Sequence, residues 1–483
     1  MPRRRITFKT FSPATRSIAR AIRRSALLLA CITLCAPSPP PVPSLSTILS
    51  NHLAALRALN LREPSTHETE GILSGNTFAG SFHEWQEGDS ERRDEQFGIR
   101  SERMLRVGDH LWVQNASGEV RELHGLLARR RLTEDFIDNG VFAEHPEAVT
   151  YVDREVLPDG RAVYVLRVAP PDGEPYEVGI DAKNWLVDEK SYVDQDSVAT
   201  AIFSDYRVVH GFLIPFTEID SDGQHDFDVI SRVTSVLVDE PIADTVFAPF
   251  SPAIVQTSAP VTVPVIERGG LIFAKVMIEG KDYTFLVDSA AQGLVFDTKL
   301  TAALGLHPSG TVEIRGAGRT TSPGVVEAPP VSVGGVNFPM RFATVIDLPD
   351  FPGQHADGIL GYSFFAAAEV RFDPTQQTMT IAAPGALPLD GVKLDVDTDR
   401  ELPEIVAKIE GAPTRVIVDT GDVRELLVFK NFVDAHPGLV RVAMFGPTLN
   451  RGVGGSVDAV GTIVGELQIG PYRLFNRYAN VVL

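Results

Sequence analysis

Between residues 110 and 194 apolar and polar positions alternate in short runs, each closed by turn-forming residues. HLWVQ runs to Asn115-Ala116-Ser117-Gly118, VTYVDREVL to Pro158-Asp159-Gly160, AVYVLRVA to Pro170-Pro171-Asp172-Gly173, and YEVGIDA to Lys183-Asn184 before WLVDEKSYV. A period of two with Pro-Asp-Gly punctuation predicts an antiparallel meander. In the third run Tyr164, Leu166 and Val168 oppose Val163, Val165 and Arg167, so that strand is partly apolar on both faces. Ahead of the meander, after a Ser46 cap, Ile48, Leu49, Leu53, Leu56 and Leu59 recur at helical spacing up to Asn60. One helix and a meander predict a curved sheet wrapped on a helix over residues 44–250. Arg129-Arg130-Arg131 reads as a solvated turn of charge.

From about residue 260 the pattern repeats itself. IEGKDYTFLVDSAAQGLVF is followed later by IEGAPTRVIVDTGDVRELLVF, with Gly280 to Asp288 and Gly411 to Asp419 equally spaced. Two more matches keep the order: Arg315-Gly316-Ala317-Gly318 with Arg451-Gly452-Val453-Gly454, and Arg341-Phe342-Ala343 with Arg477-Tyr478-Ala479. Three ordered matches predict two related lobes, at 260–385 and 390–483. In each, an aspartate ends an apolar strand and precedes a hydroxyl residue, Ser289 or Thr420. Two symmetric lobes can thereby present Asp288 and Asp419 to each other.

Composition narrows the function classes. The chain has 483 residues, 44% of them hydrophobic, and a net charge of −19, which argues against binding a phosphate backbone. Eight of the first 24 residues are basic and none is acidic, and the apolar run Ser25–Ala36 follows. This is the layout of a secretory signal over residues 1–36, joined by the Pro-rich link 37–43 to the first folded element. Without that segment, 36 basic residues face 63 acidic ones, a net charge of −27. Both cysteines, Cys31 and Cys35, lie within it, so the exported protein would rely on its cores alone. Leu28-Leu29-Ala30-Cys31 also resembles a lipoprotein box, which would keep Cys31 as an anchor. The pairs Arg4-Arg5 and Arg23-Arg24 hint weakly at twin-arginine export. No later segment is long and apolar enough for a membrane span.

The N-terminal segment resembles the periplasmic lipoprotein-carrier (LolA-like) fold, an open half-barrel with a helix across its mouth. The resemblance rests on element order and on WVQNASGEVRELHG, the Pro-Asp-Gly hairpins and YRVVHGFLIPFTEID. The repeat resembles the aspartic peptidases of the pepsin and retropepsin kind. Their apolar-apolar-Asp-Thr/Ser-Gly signature appears as Leu286-Val287-Asp288-Ser289 and Ile417-Val418-Asp419-Thr420-Gly421. Their later apolar-apolar-Gly element appears in the first lobe as Asp357-Gly358-Ile359-Leu360-Gly361. The resemblance implies a mainly β fold and a cofactor-free endopeptidase acting on a peptide or unfolded protein. Asp288 and Asp419 would be catalytic, Ser289, Thr420 and Gly421 supporting, and Gly316 to Gly318 a flap. Ala290 departs from the first motif, where the family has Gly, and Asp422 adds a third carboxylate.

Aligned on the repeat, the second lobe lacks roughly 35 residues, including its own apolar-apolar-Gly strand. Three explanations fit: the sequence continues past Leu483, a partner or second copy covers the open edge, or the lobe has decayed. The 11 His show no metal-ligand spacing, and there is no Gly-x-Ser-x-Gly elbow. Asp297 and Asp373 read as turn residues, and Gly452 to Gly455 as a hairpin. The expectation is an exported aspartic endopeptidase, periplasmic or secreted. The alternative is a non-catalytic binding protein whose half-barrel holds a lipid or apolar peptide on peptidase-derived lobes.

Overall fold

The computed structural model describes residues 42–59, 64–75, 79–157, 159–194, 197–223, 228–312, 314–315, 320–351, 353–388, 390–440, 447–452 and 455–482. The signal-like segment with Cys31 and Cys35, most of the Pro-rich link, and Gly316 to Gly318 lie outside them.

The N-terminal part is mainly one sheet. Helix α1 (Leu45–Leu59) leads into β1 (Thr66–Ser74), β2 (Ala79–Glu87), β3 (Ser90–Phe97), β4 (Arg100–Val107), β5 (His110–Gln114) and β6 (Val120–Glu122). Helix α2 (Leu126–Asp138) then crosses to β7 (Val149–Val156), β8 (Ala162–Val168), β9 (Tyr176–Asp181), β10 (Val187–Asp194), β11 (Ser197–Val209), β12 (Phe212–Ser221) and β13 (Val229–Val238). The thirteen strands form one sheet in the order β6 to β1, then β13 to β7, and β1 closes the two halves antiparallel to β13. The helices cover one face. Ile48, Leu49 and Ile137 pack there on Tyr164, Leu166, Val178 and Ile180.

Two expectations fail here. The cap of α1 is Ser44, whose Oγ accepts from Thr47 N at 3.2 Å, so the helix starts before Ser46. Arg129 to Arg131 form no solvated turn; they belong to α2. Arg130 is buried, bonds Asp194 at 2.8 Å and stacks over Tyr192, while Arg131 donates to both Glu91 oxygens at 2.7 Å. These charges face the sheet because acids on β3 and β10 await them.

The first lobe is built on the hairpin β14 (Leu271–Ile278) and β15 (Lys281–Val287). Its turn, Glu279-Gly280, has φ of 49° and 78°; the second lobe's hairpin turns at Glu410-Gly411 with 50° and 83°. Two successive positive φ values make the tight primed turn that suits hairpin twist, which explains the repeated Glu-Gly. β16 (Leu294–Asp297), α3 (Thr298–Ala303), β17 (Phe342–Ile346), β18 (Gly358–Leu360) and α4 (Tyr362–Ala367) complete the frame around the candidate site. β18 lies between β15, to which it is parallel, and β16. The buried core includes Phe285, Phe296, Phe338 and Phe364. Asp297 caps α3 through Lys299 N at 2.8 Å and Asp373 accepts from Thr375 and Gln376 N, as turn residues do.

The second lobe repeats this with β19 (Glu404–Ile409), β20 (Ala412–Ile417), β21 (Leu427–Val428), α5 (Lys430–Ala435), β22 (Gly455–Ile469) and β23 (Tyr472–Val482). β21 runs parallel to β23 as β16 does to β17. Among the described residues nothing stands beside β20 where β18 stands beside β15. Leu286 and Val287 are 1% and 0% exposed, whereas Ile417 and Val418 are 44% and 42% exposed. The second core contains Val428, Val460, Val464, Leu467 and Val481 and, among the described residues, no buried aromatic ring.

Candidate active site

The two motif loops meet. Each aspartate follows the last residues of a hairpin strand, and the hydroxyl residue after it reaches into the other lobe. Ser289 Oγ donates to Val418 O at 2.6 Å and accepts from Thr420 N at 3.1 Å. Thr420 Oγ1 donates to Val287 O at 2.9 Å and accepts from Ser289 N at 3.0 Å. Four reciprocal bonds lock the loops, and Ser289 is 5% exposed, so they are shielded from competing water.

The carboxyls are held by their own turns. Ala290 N donates to Asp288 Oδ1 at 2.9 Å and Gly421 N to Asp419 Oδ1 at 2.8 Å. Ala290 has no positive φ, so its methyl costs the turn nothing in backbone freedom. Gly421 is needed for a different reason: a Cβ there would overlap the Asp288 carboxyl. β18 supports the first loop, with Asp288 N donating to Leu360 O at 3.0 Å. Gly361 packs its Cα against the carbonyls of Ala291 and Gly293, a space that admits no side chain. Its neighbours Tyr362 and Ser363 donate their N–H groups to Ala291 O and Gln292 O.

Burial and then the neighbouring Asp419 carboxyl push Asp288 up to about 7, against the Ala290 N–H, which favours the ionised form. Asp419 is also raised above the ordinary carboxylate range, by burial first and by Asp422, with the Gly421 N–H opposing. Both carboxyls are raised, and each lies in hydrogen-bonding reach of the other, so the pair holds on to a proton at a pH where a free aspartate has lost it. Asp419 stands on the open side of the cleft and Asp288 is half-buried. Asp422 is held by Arg424, whose Nε donates to it at 2.7 Å.

Gly316 and Gly318 fall outside the described residues, but the hairpin stem is present, pairing Ile314 with Thr321 and Arg315 with Thr320. Among the described residues one group of three ligand-type side chains could share an ion, Glu68, Glu70 and His83. His83 directs Nε2 at Glu68, 2.6 Å away, and Nδ1 at Glu70, 3.7 Å away.

The residues around the loops that the motifs do not mark come from the N-terminal part. Tyr362, which follows Gly361, donates its hydroxyl to Glu119 at 2.7 Å. Arg121 and Gly125 hold the segment between the lobes. Glu119, Arg121 and Gly125 lie in WVQNASGEVRELHG, which in the sequence points only to the N-terminal fold, because they stand more than 150 residues from the loops they support.

Comparison with known proteins finds matches to parts of the chain. The N-terminal part is similar to a DUF1329 family protein from Desulfovibrio piger, at 14% identity over 42% of this chain and 97% of that one, with a TM-score of 0.31. It is also similar to a LolA superfamily protein from Nitrosomonas europaea, at 14% identity over 43% and 99%, with a TM-score of 0.29. A retropepsin-like aspartic protease from Rickettsia conorii matches at 16% identity over 26% and 89%, with a TM-score of 0.18. No curated protein matches the chain. Residues 274–364, which carry Asp288 and the β18 support, match the family model described as aspartyl protease.

Proposed function

We propose that the chain is an aspartic endopeptidase in which Asp288 and Asp419 form one catalytic dyad. The observation that carries this reading is the reciprocal Ser289–Thr420 lock, which holds together the two loops that bear the like carboxyls. Two adjacent carboxyls cannot both ionise easily, a behaviour long known for aspartic-protease dyads. Ionised Asp419 takes a proton from a water, and that water attacks the scissile carbonyl. Protonated Asp288 donates its proton to the carbonyl oxygen, giving a neutral tetrahedral diol. Collapse of the diol with proton transfer to the amine breaks the C–N bond. The test is cleavage of an unfolded protein by the full chain at pH 5 to 6. Pepstatin-sensitive cleavage lost in both Asp288→Asn and Asp419→Asn is expected; cleavage that survives either change refutes the dyad.

The basic-then-apolar N-terminus supports export, and no helix among the described residues is long and apolar enough to cross a membrane. The non-catalytic alternative places a lipid or apolar peptide in the half-barrel. The helix-covered face of the sheet carries Glu91, Arg93 and Glu95 on β3, Glu84 on β2 and Lys190 on β10. These charges are paired, Arg93 with Glu84 and Glu95, Glu91 with Arg131 and Lys190 with Asp138, so ion pairs already occupy this part of the face.

A further inference from the structure

We infer that the half-barrel is a positioning clamp for the dyad, acting through Arg121 and Gly125 on the interlobe segment 397–403; this rests on the peptidase reading above. The Ser289–Thr420 bonds join the tips of the two loops, and the bodies of the loops still need support. The second lobe, with a smaller core than the first and no strand beside β20 among the described residues, supplies less of it.

Segment 397–403 touches all three parts of the molecule. On the half-barrel side Arg121, its side chain 10% exposed, donates from Nη1 to Thr398 O at 2.5 Å and to Asp399 O at 2.8 Å. Its Nη2 reaches Glu401 Oε1 at 3.2 Å. Gly125 N donates to Asp399 Oδ2 at 2.8 Å, and a Cβ at Gly125 would fall 2.6 Å from carboxylate oxygens of both Asp397 and Asp399. Arg130 and Arg400 share Asp194. Toward the first lobe, Arg400 O accepts from Gln292 Nε2 at 3.2 Å, and Gln292 lies on the loop that bears Asp288. Toward the second, Pro403 O accepts from Val418 N at 2.9 Å, one residue before Asp419. Asp397 and Glu404 also hold Arg415 of β20. A shift of this segment would move Gln292 and Val418 relative to each other, and so the two carboxyls. Arg121 suits the task because one guanidinium nitrogen meets two successive carbonyls while the other reaches the Glu401 carboxylate.

The test uses the full chain on reduced, carboxymethylated lysozyme, with Arg121→Ala, Arg121→Lys, Gly125→Ala and Asp288→Asn. A displacement of about 1 Å at a reacting group costs on the order of 10²-fold, so Arg121→Ala is expected to lower kcat by about that factor. KM should stay within about twofold, because Arg121 lies away from the cleft. The basic limb of the pH profile should move below 7 as Asp288 loses its partner, and Arg121→Lys should recover part of kcat. Gly125→Ala, which crowds the same segment without removing a charge, should move kcat and the limb in the same direction. Amide exchange at residues 397–403 and 418–421 should quicken in Arg121→Ala. Wild-type kcat, pH profile and exchange in Arg121→Ala and Gly125→Ala, with Asp288→Asn inactive, overturn the clamp and leave the peptidase reading standing. If Asp288→Asn still cleaves, the peptidase reading fails, and the exchange data alone then decide whether the segment is clamped.

Discussion

Asp288 carries the most information at the scale of single residues. Its carboxyl is pushed up to about 7, so the folded protein holds a proton there that the unfolded chain releases near pH 4. The sign follows from linkage. Below about pH 4 both states are protonated and the site costs nothing; as pH rises toward 7 the unfolded state gains from ionising while the folded state does not. Folding stability contributed by this group therefore falls across that window. Asp288→Asn removes the titration, so its melting temperature relative to wild type should rise between pH 4 and pH 7 in thermal scans. A constant difference across the window would show that Asp288 titrates as an ordinary carboxylate.

At the scale of elements, the contrast between the two hairpins is the main finding. β15 is flanked by β14 and β18, and its last residues are fully buried; β20 is flanked by β19 alone among the described residues. A strand with one unpaired edge and exposed Ile417 and Val418 opens locally at lower cost. Amide exchange should therefore be faster in residues 412–417 than in residues 281–287, by about tenfold for each 1.4 kcal/mol of difference in opening energy. Equal protection of the two strands would mean that β20 is covered in solution. The hairpins themselves were legible because their signals are contiguous: Glu-Gly turns, apolar strands and Asp-Ser or Asp-Thr ends. Strands β2 and β3 were not, since Glu84, Glu91, Arg93 and Glu95 give them polar residues on the helix-facing side and erase the alternation. Helix α2 was hidden for the same reason. Its Arg130 and Arg131 face the protein and are neutralised by Asp194 and Glu91, partners that no local pattern could supply.

For the whole molecule, the half-barrel and the two lobes are coupled through polar contacts at Glu119, Arg121, Gly125 and Asp194. The repeat made both aspartates and the hydroxyls of Ser289 and Thr420 visible in the sequence, while the contacts of Arg121 and Gly125 with the interlobe segment became visible only in three dimensions. The central claim, that Asp288 and Asp419 share one proton and cleave peptide bonds with it, is tested most directly by the pH dependence of kcat/KM on an unfolded protein. The account predicts a bell whose basic limb falls near 7, where Asp288 loses its proton, and whose acid limb lies above the ordinary aspartate value of 3.8, where Asp419 gains one. A rate that keeps rising above pH 8, or one independent of pH from 4 to 8, would contradict it.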